Sequence, residues 1–174
     1  MPTLEAIHWG PASKAKPKQL VILCHGLGAD AFDLIDLAPS WQHACPDAIF
    51  ASVHAPFSHD SGYGRQWWSV ADRSPPMIEA GVRAAASYLD GFIDAELARL
   101  GVPGDAYAIM GFSQGAMMSL FTGLRHPVAP RVILAFSGAL IAPESLVAEL
   151  ANRAPILLVH GENEIGRASC RERV

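Results

Sequence analysis

At its centre the chain reads Gly111-Phe112-Ser113-Gln114-Gly115, between an apolar run at residues 106–110 and a segment rich in Ala, Met and Leu at residues 114–125. The run predicts a buried strand and the segment predicts a helix, so the pentapeptide is a strand–turn–helix junction. Gly-x-Ser-x-Gly in this setting is typical of a nucleophile elbow, a strained turn that lifts a serine hydroxyl clear of a sheet. A glycine-rich turn with an incidental serine is the alternative.

The rest of the chain alternates short apolar runs with helical segments. Further buried strands are predicted at residues 20–24, 48–53, 132–137 and 156–160, and further helices at residues 31–38, 76–100 and 143–151. Strands that alternate with helices predict an α/β fold, a mostly parallel sheet with helices on both faces. Residues 57–75, which include Trp67 and Trp68, are predicted to form a long surface loop.

The first predicted strand ends at His25-Gly26-Leu27-Gly28. In the fold that carries a nucleophile elbow, the matching loop supplies one N–H of the oxyanion hole, and the residue after the nucleophile supplies the other. We therefore assign the two donors to the backbone amides of Leu27 and Gln114. The His25 side chain precedes the serine in chain order, and we expect it to be structural.

The same loop also fits a second interpretation. Residues 26–31 match the dinucleotide fingerprint Gly-x-Gly-x-x-(Gly/Ala) directly after a strand, which would indicate a nucleotide-dependent oxidoreductase. That function needs an acidic residue at the end of the second strand to hold a ribose, and the second strand instead leads into His54. The fingerprint also leaves the Ser113 turn unexplained.

Composition narrows the possible partners. Apolar residues make up 51% and charged residues 17% of the 174 residues, and the formal net charge is −4, which disfavours nucleic acid and anionic membranes as partners. No apolar stretch approaches the ~18–20 residues of a membrane helix, and no signal peptide is evident. The three cysteines lack metal-ligand spacing. We expect a cytoplasmic protein without metal, cofactor or stable membrane insertion.

Several motifs in register resemble the phospholipase/carboxylesterase family, which includes the acyl-protein thioesterases. They are residues 23–30, Pro46-Asp47-Ala48, Ala55-Pro56, Gly64-Arg65-Gln66-Trp67-Trp68-Ser69, residues 111–116, Phe136-Ser137-Gly138 and residues 158–161. The resemblance implies an α/β-hydrolase fold and a cofactor-free esterase or thioesterase that cleaves a small acyl substrate with a Ser–Asp–His triad. It also implies that Trp67 and Trp68 border the acyl pocket, with plain core packing as the alternative.

The C-terminal end departs from that family's pattern. The family's acid follows His-Gly-x-x-Asp and its histidine comes later, whereas this chain reads His160-Gly161-Glu162-Asn163-Glu164 and then continues without periodicity. We expect residues 1–163 to be a partial hydrolase domain and residues 164–174 a non-native tail, with Glu164 a weak candidate for the acid.

The histidines that follow Ser113 do not fit the role of the base. His126 lies about 18 Å along the helix from the serine, and His160 belongs to the His-Gly turn. The chain as given is therefore predicted to lack its base and to be inactive, and a non-catalytic acyl-binding domain is the alternative.

If Leu27 and Gln114 donate to the oxyanion through their backbone amides, loss of an amide should lower kcat and loss of a side chain should not. In the full-length protein, Leu27→Pro removes one N–H and should lower kcat by roughly 10²–10³, the usual effect of losing one oxyanion donor. Gln114→Ala keeps its amide and, on the sequence alone, should cost little. Steady-state kinetics with a short-chain aryl ester checks both, and equal losses in folded variants would place the hole elsewhere.

Overall fold

The structure, a computed structural model, describes residues 3–161. Its elements in chain order are β1 (Ala6–Trp9), β2 (Gln19–Cys24), α1 (Ala31–Ile35), α2 (Ala38–Trp41), β3 (Ala48–Val53), β4 (Phe57–Ser58), β5 (Arg65–Gln66), α3 (Pro75–Leu100), β6 (Tyr107–Phe112), α4 (Gln114–Arg125), β7 (Ile133–Phe136), α5 (Pro143–Glu149) and β8 (Ile156–Val159). The predicted tail at residues 164–174, including Glu164, lies outside the described residues.

The strands confirm the prediction of a mostly parallel sheet. Their order is β1-β3-β2-β6-β7-β8, and every neighbouring pair is parallel except β1 with β3. The sequence pattern does not predict β1, because Ala6–Trp9 is short and half-exposed and mixes polar with apolar residues. Its strand conformation depends on antiparallel pairing with β3, which is tertiary information.

The central strand β2 has a core on each side. Leu20, Ile22 and Cys24 belong to one hydrophobic cluster, which the apolar faces of α3 and α4 cover. Val21 and Leu23 belong to the other, under α1 and α2. Because successive side chains of a strand alternate between faces, a strand buried on both sides must be apolar throughout. Each fully buried aliphatic side chain contributes roughly 1.5–3 kcal/mol.

The long helix α3 confirms the prediction for residues 76–100. It begins one residue earlier, at Pro75, and proline suits a first turn because the N–H it lacks has no helical partner there. It ends at Gly101, whose φ of +62° and N–H bond to the Leu97 carbonyl form a left-handed C-terminal cap.

The predicted helix at residues 31–38 is two short helices instead. Asp30 caps α1 as expected, accepting a 2.8 Å hydrogen bond from the Phe32 amide. The helix stops at Ile35, and α2 begins at Ala38 with Pro39 in its first turn. A proline inside a continuous helix would remove a backbone hydrogen bond and clash with the preceding turn, so the chain breaks there.

The prediction of a surface loop at residues 57–75 is wrong in part. β4 and β5 pair as a small antiparallel hairpin. The chain then turns inward, so that Trp67 is 0% and Trp68 4% exposed. Two large aromatic side chains draw this segment into the core because burying their area outweighs the cost of ordering the loop.

At the other edge of the sheet, β8 confirms the predicted strand at residues 156–160. Its four apolar side chains are 41–52% exposed in the described part of the chain. Among residues 3–161, β8 is the last strand at this edge of the sheet. Within the same range, no helix has both the length and the apolarity to cross a bilayer.

Candidate active site

Ser113 occupies the turn between β6 and α4. Its φ of +54° and ψ of −114° lie where non-glycine residues rarely occur, at a cost of about 1–3 kcal/mol. The Ser113 amide donates to the Phe136 carbonyl at 2.9 Å, and the Ser113 carbonyl accepts from the amides of Ala116 and Met117. The predicted strained turn is present, and neighbouring backbone on both sides holds it.

The two glycines of the motif are sterically required. A Cβ on Gly111 would collide with the Gly115 carbonyl, and a Cβ on Gly115 would collide with the Cys24 carbonyl at the end of β2. The first turn of α4 thus packs directly on the carboxyl ends of two strands. This close approach explains why the motif needs glycine two residues before and after the serine.

The loop after β2 lies beside this turn. β2 and β6 are adjacent and parallel with Cys24 opposite Gly111, so the residues that follow each strand meet at the same edge. A Cβ on Gly26 would lie 3.5 Å from the Ser113 Cβ. The next residue, Leu27, lines the same cleft as Ser113. The structure therefore brings together the three residues assigned to nucleophile and oxyanion donors.

The cleft at Ser113 has a volume of about 330 Å³. Its lining residues are Leu27, Trp68, Val70, Arg73, Ile78, Ser113, Gln114, Met117 and Ile141. Trp68 is therefore a wall of this cleft. Trp67 is not among the lining residues and packs in the hydrophobic core. Of the two tryptophans, only Trp68 faces the cleft.

The side chain of Gln114 makes contacts that the sequence pattern does not predict. Its Oε1 accepts from the Trp67 amide and its Nε2 donates to the Trp68 carbonyl, both at 2.8 Å. The side chain is buried, so truncation would leave a buried amide and a buried carbonyl unpaired. We therefore no longer expect Gln114→Ala to cost little.

His25 is buried and structural, as predicted. Its Nε2 accepts from the Ala55 amide at 3.0 Å, which leaves the proton on Nδ1 to be donated to the Gly26 carbonyl at 2.7 Å. Its own carbonyl accepts from the indole N–H of Trp67 at 2.9 Å. Burial lowers the pKa of His25, which favours the neutral tautomer that this pattern requires.

Asp60 fixes the hairpin to the tryptophan segment. Its two carboxylate oxygens accept from the Gln66 amide at 2.7 Å and the Ser69 hydroxyl at 2.6 Å. The Ser69 and Gln66 hydrogen bonds lower the pKa of Asp60, so the carboxylate stays ionised near neutrality. Trp67 and Trp68 thus lie in sequence between Gln66 and Ser69, both of which are hydrogen-bonded to the Asp60 carboxylate.

Neither histidine that follows the serine lines the cleft in the described part of the chain. His126 is buried at the far end of α4, with its Nδ1 at 3.0 Å from the Val128 carbonyl and its Nε2 at 3.3 Å from Asp94. His160 Nε2 lies 2.8 Å from the Gly138 carbonyl. Among residues 3–161, no three His, Cys, Asp or Glu side chains converge on a possible metal site.

Comparison with known proteins agrees with this geometry. Residues 11–165 match the family model described as Phospholipase/Carboxylesterase. The chain belongs to the phospholipase/carboxylesterase family. This membership argues against the dinucleotide-binding alternative for residues 26–31. The packing of Gly26 against the Ser113 turn argues against it as well.

Individual members of the family show how far the similarity extends. Acyl-protein thioesterase 1 of Schizosaccharomyces pombe is 36% identical over 80% of this chain, and Esterase YpfH of Escherichia coli is 30% identical over 88%. The chain spans 66% of the length of each. The crystal structure of esterase PE8 superposes with a TM-score of 0.86 at 38% identity, covering 91% of this chain and 74% of that one. The fold is that of the α/β-hydrolases.

The buried neutral His25 predicts a pH-dependent stability. Because its folded-state pKa is below the ordinary value of about 6.5, the unfolded chain binds more protons as the pH falls below 6.5. Stability should therefore decrease on acidification, with His25 contributing a slope of up to ~1.4 kcal/mol per pH unit. Urea unfolding at pH 7 and pH 5.5 measures this loss.

The matched variants are His25→Gln and His43→Gln. The first should reduce the loss of stability between the two pH values, because glutamine does not titrate. The second, at an exposed position, should leave the loss as in the wild type. An equal loss in the wild type and in His25→Gln would contradict the assignment.

Proposed function

We propose that this protein is a serine hydrolase that cleaves a carboxylic ester or thioester through an acyl-enzyme on Ser113. The observation that carries the proposal is the strained Ser113 turn at the N-terminus of α4, opening into a cleft that Leu27 and Gln114 also line. A positive φ at a serine persists only where the surroundings enforce it, and such strain is concentrated at functional sites.

The chemistry proceeds in two balanced steps. The Ser113 hydroxyl attacks the acyl carbon while a base takes its proton, and the resulting oxyanion receives N–H bonds from Leu27 and Gln114. The alcohol or thiol then leaves with that proton, and water releases the acid by the same route. Each backbone donor contributes about 2.7–4 kcal/mol to the transition state, and the N-terminus of α4 adds a favourable dipole.

We place the base and its acid partner in a segment outside residues 3–161. His25 and His126 are buried and occupied in structural contacts, and neither lines the cleft. Family members are longer than this chain, which leaves room for such a segment in the full-length protein. Tests of turnover therefore require the full-length protein.

The cleft suits the acyl part of the substrate. Besides Leu27, Arg73 and Gln114, its walls beyond Ser113 are the apolar side chains of Trp68, Val70, Ile78, Met117 and Ile141. Burying each methylene of an acyl chain contributes about 0.8 kcal/mol, which favours chains that fill the cleft. Ester and thioester carbonyls make the same demands on the nucleophile and the oxyanion donors, and the relatives' names include both an esterase and a thioesterase.

We also propose a cytoplasmic location. Cys24 and Cys45 are free thiols, as is usual where the compartment is reducing. The substrate is a small acyl ester or thioester, and the negative net charge disfavours a nucleic-acid partner.

The nucleophile assignment is tested by covalent labelling. In the full-length protein, a fluorophosphonate probe should label the wild type and Ser87→Ala, an exposed serine of α3, but not Ser113→Ala. Ester turnover by Ser113→Ala should fall by roughly 10⁶. Labelling that persists in Ser113→Ala would place the nucleophile elsewhere. A wild type that binds acyl groups without labelling or turnover would favour the non-catalytic acyl-binding domain.

The acyl pocket is tested by narrowing it. Ile141→Phe adds volume to the cleft wall and should lower the ratio of kcat/KM for hexanoyl over acetyl esters by about tenfold, since two or more methylenes lose their contacts. Leu140→Phe is the matched control, because Leu140 lines a neighbouring groove and not this cleft. Equal ratios in both variants would show that the acyl chain lies elsewhere.

A further inference from the structure

The proposed acyl transfer uses the backbone of Gln114 and gives no role to its side chain. That side chain is buried and bridges two consecutive backbone groups, the Trp67 amide and the Trp68 carbonyl, each at 2.8 Å. A primary amide carries an acceptor and a donor side by side, which matches the N–H of one residue and the carbonyl of the next. Gln114 thereby ties the turn that carries one candidate oxyanion donor to the tryptophan segment.

The same tryptophan segment is tied to the loop that carries the other donor. The Trp67 indole N–H donates to the His25 carbonyl at 2.9 Å, two residues before Leu27. On the other side of Leu27, the loop pairs with Arg65 of β5. The Gly28 amide donates to the Arg65 carbonyl and the Arg65 amide donates to the Ala29 carbonyl, each at 2.8 Å. Leu27 therefore lies in a stretch that the hairpin and Trp67 hold from both sides.

We propose that the buried side chain of Gln114 is a positioning residue that, through Trp67 and Trp68, fixes the spacing between the Leu27 and Gln114 amides. This inference rests on the proposed function, because it takes those two amides as the oxyanion donors. It assigns to the side chain a role separate from that of the backbone at the same residue.

The free-energy cost of burying an amide side chain supports a positioning role over simple packing. A buried amide is expensive unless both of its ends are paired, whereas an apolar side chain of similar size would fill the space without that requirement. Hydrogen bonds to backbone fix a geometry that apolar contacts leave adjustable. An oxyanion donor must lie within about 2.7–3.1 Å of the developing charge, and a misplacement of about 1 Å can cost 10²-fold in rate.

The test uses the chemical likeness between an amide and a protonated carboxyl. In Gln114→Glu a protonated carboxyl can accept from the Trp67 amide and donate to the Trp68 carbonyl, but an ionised one loses the donor and places charge against that carbonyl. Burial raises the pKa of such a carboxyl, and its protonated fraction is greater at pH 5 than at pH 8. At pH 8 kcat should be about 10²-fold below that of the wild type, and at pH 5 that deficit should shrink at least tenfold.

Two further variants remove the ties without introducing charge. Gln114→Met keeps the volume and loses both hydrogen bonds, so its kcat should stay low at every pH. Trp67→Phe loses the indole N–H to His25 together with part of the buried ring, and it should lower kcat by about tenfold. The hydrogen bonds of Gln114 and Trp67 connect the same two loops. The double variant Gln114→Met/Trp67→Phe should therefore lower kcat by less than the product of the two single effects. For a short acetyl ester, KM should change less than kcat, since the donors act mainly in the transition state.

Tryptophan emission gives a readout that does not need turnover. In the 174-residue chain, Gln114→Glu should shift the emission relative to the wild type at pH 8 and return to it at pH 5. Gln19→Glu is the control, an exposed glutamine at the start of β2, at the opposite edge of the sheet from the cleft, and it should show neither change. Urea unfolding at both pH values checks that each variant is folded under the conditions at which the emission is compared.

The outcomes separate the two proposals. Wild-type kcat in Gln114→Met, or a Gln114→Glu emission that changes with pH while its kcat deficit does not, would overturn the positioning role. A wild type without turnover or Ser113 labelling would instead overturn the proposed hydrolase function, and the emission experiment would still show whether Gln114 holds the tryptophan segment.

Discussion

The structure depends on the close approach of the first turn of α4 to the carboxyl ends of β2 and β6. Neither Gly111 nor Gly115 has room for a Cβ, because backbone of α4 and of β2 occupies those positions. This approach forces Ser113 into its positive φ and brings the loop after β2 against the serine. The turn can keep this strained conformation because the packing of α4 on the parallel sheet contributes more stability than the strain costs.

The parallel sheet determines which end of the molecule carries the site. The parallel strands β2, β3, β6 and β7 each deliver the following loop to the carboxyl edge, where Leu27, Ser113 and Gln114 meet. A larger cavity, of about 390 Å³, lies at the opposite edge beside the first residues of β2 and β6, and it contains none of the residues assigned to the site. Size alone is therefore a poor guide to function here, and the convergence of the nucleophile with backbone donors is the better one.

Around the turn, buried polar contacts connect parts of the chain that are distant in sequence. His25, Trp67 and Gln114 come from three separate segments, and each pairs its polar atoms with backbone of another. Such contacts add little net stability one by one, but they are costly to break, which makes the arrangement specific. These hydrogen bonds connect the cleft wall at Trp68 to the loop at Leu27.

The sequence by itself determined the parallel strands, the long helix and the candidate nucleophile, because those features are local. Apolar runs predicted β2, β3 and β6, and the spacing of two glycines around Ser113 predicted the turn. Only the tertiary structure decided the β1 edge strand, the burial of Trp67, and the role of the Gln114 side chain. Each of these depends on a partner some 40 or more residues away. Sequence periodicity reports on neighbours within a few residues, so contacts across the fold leave no signal in it.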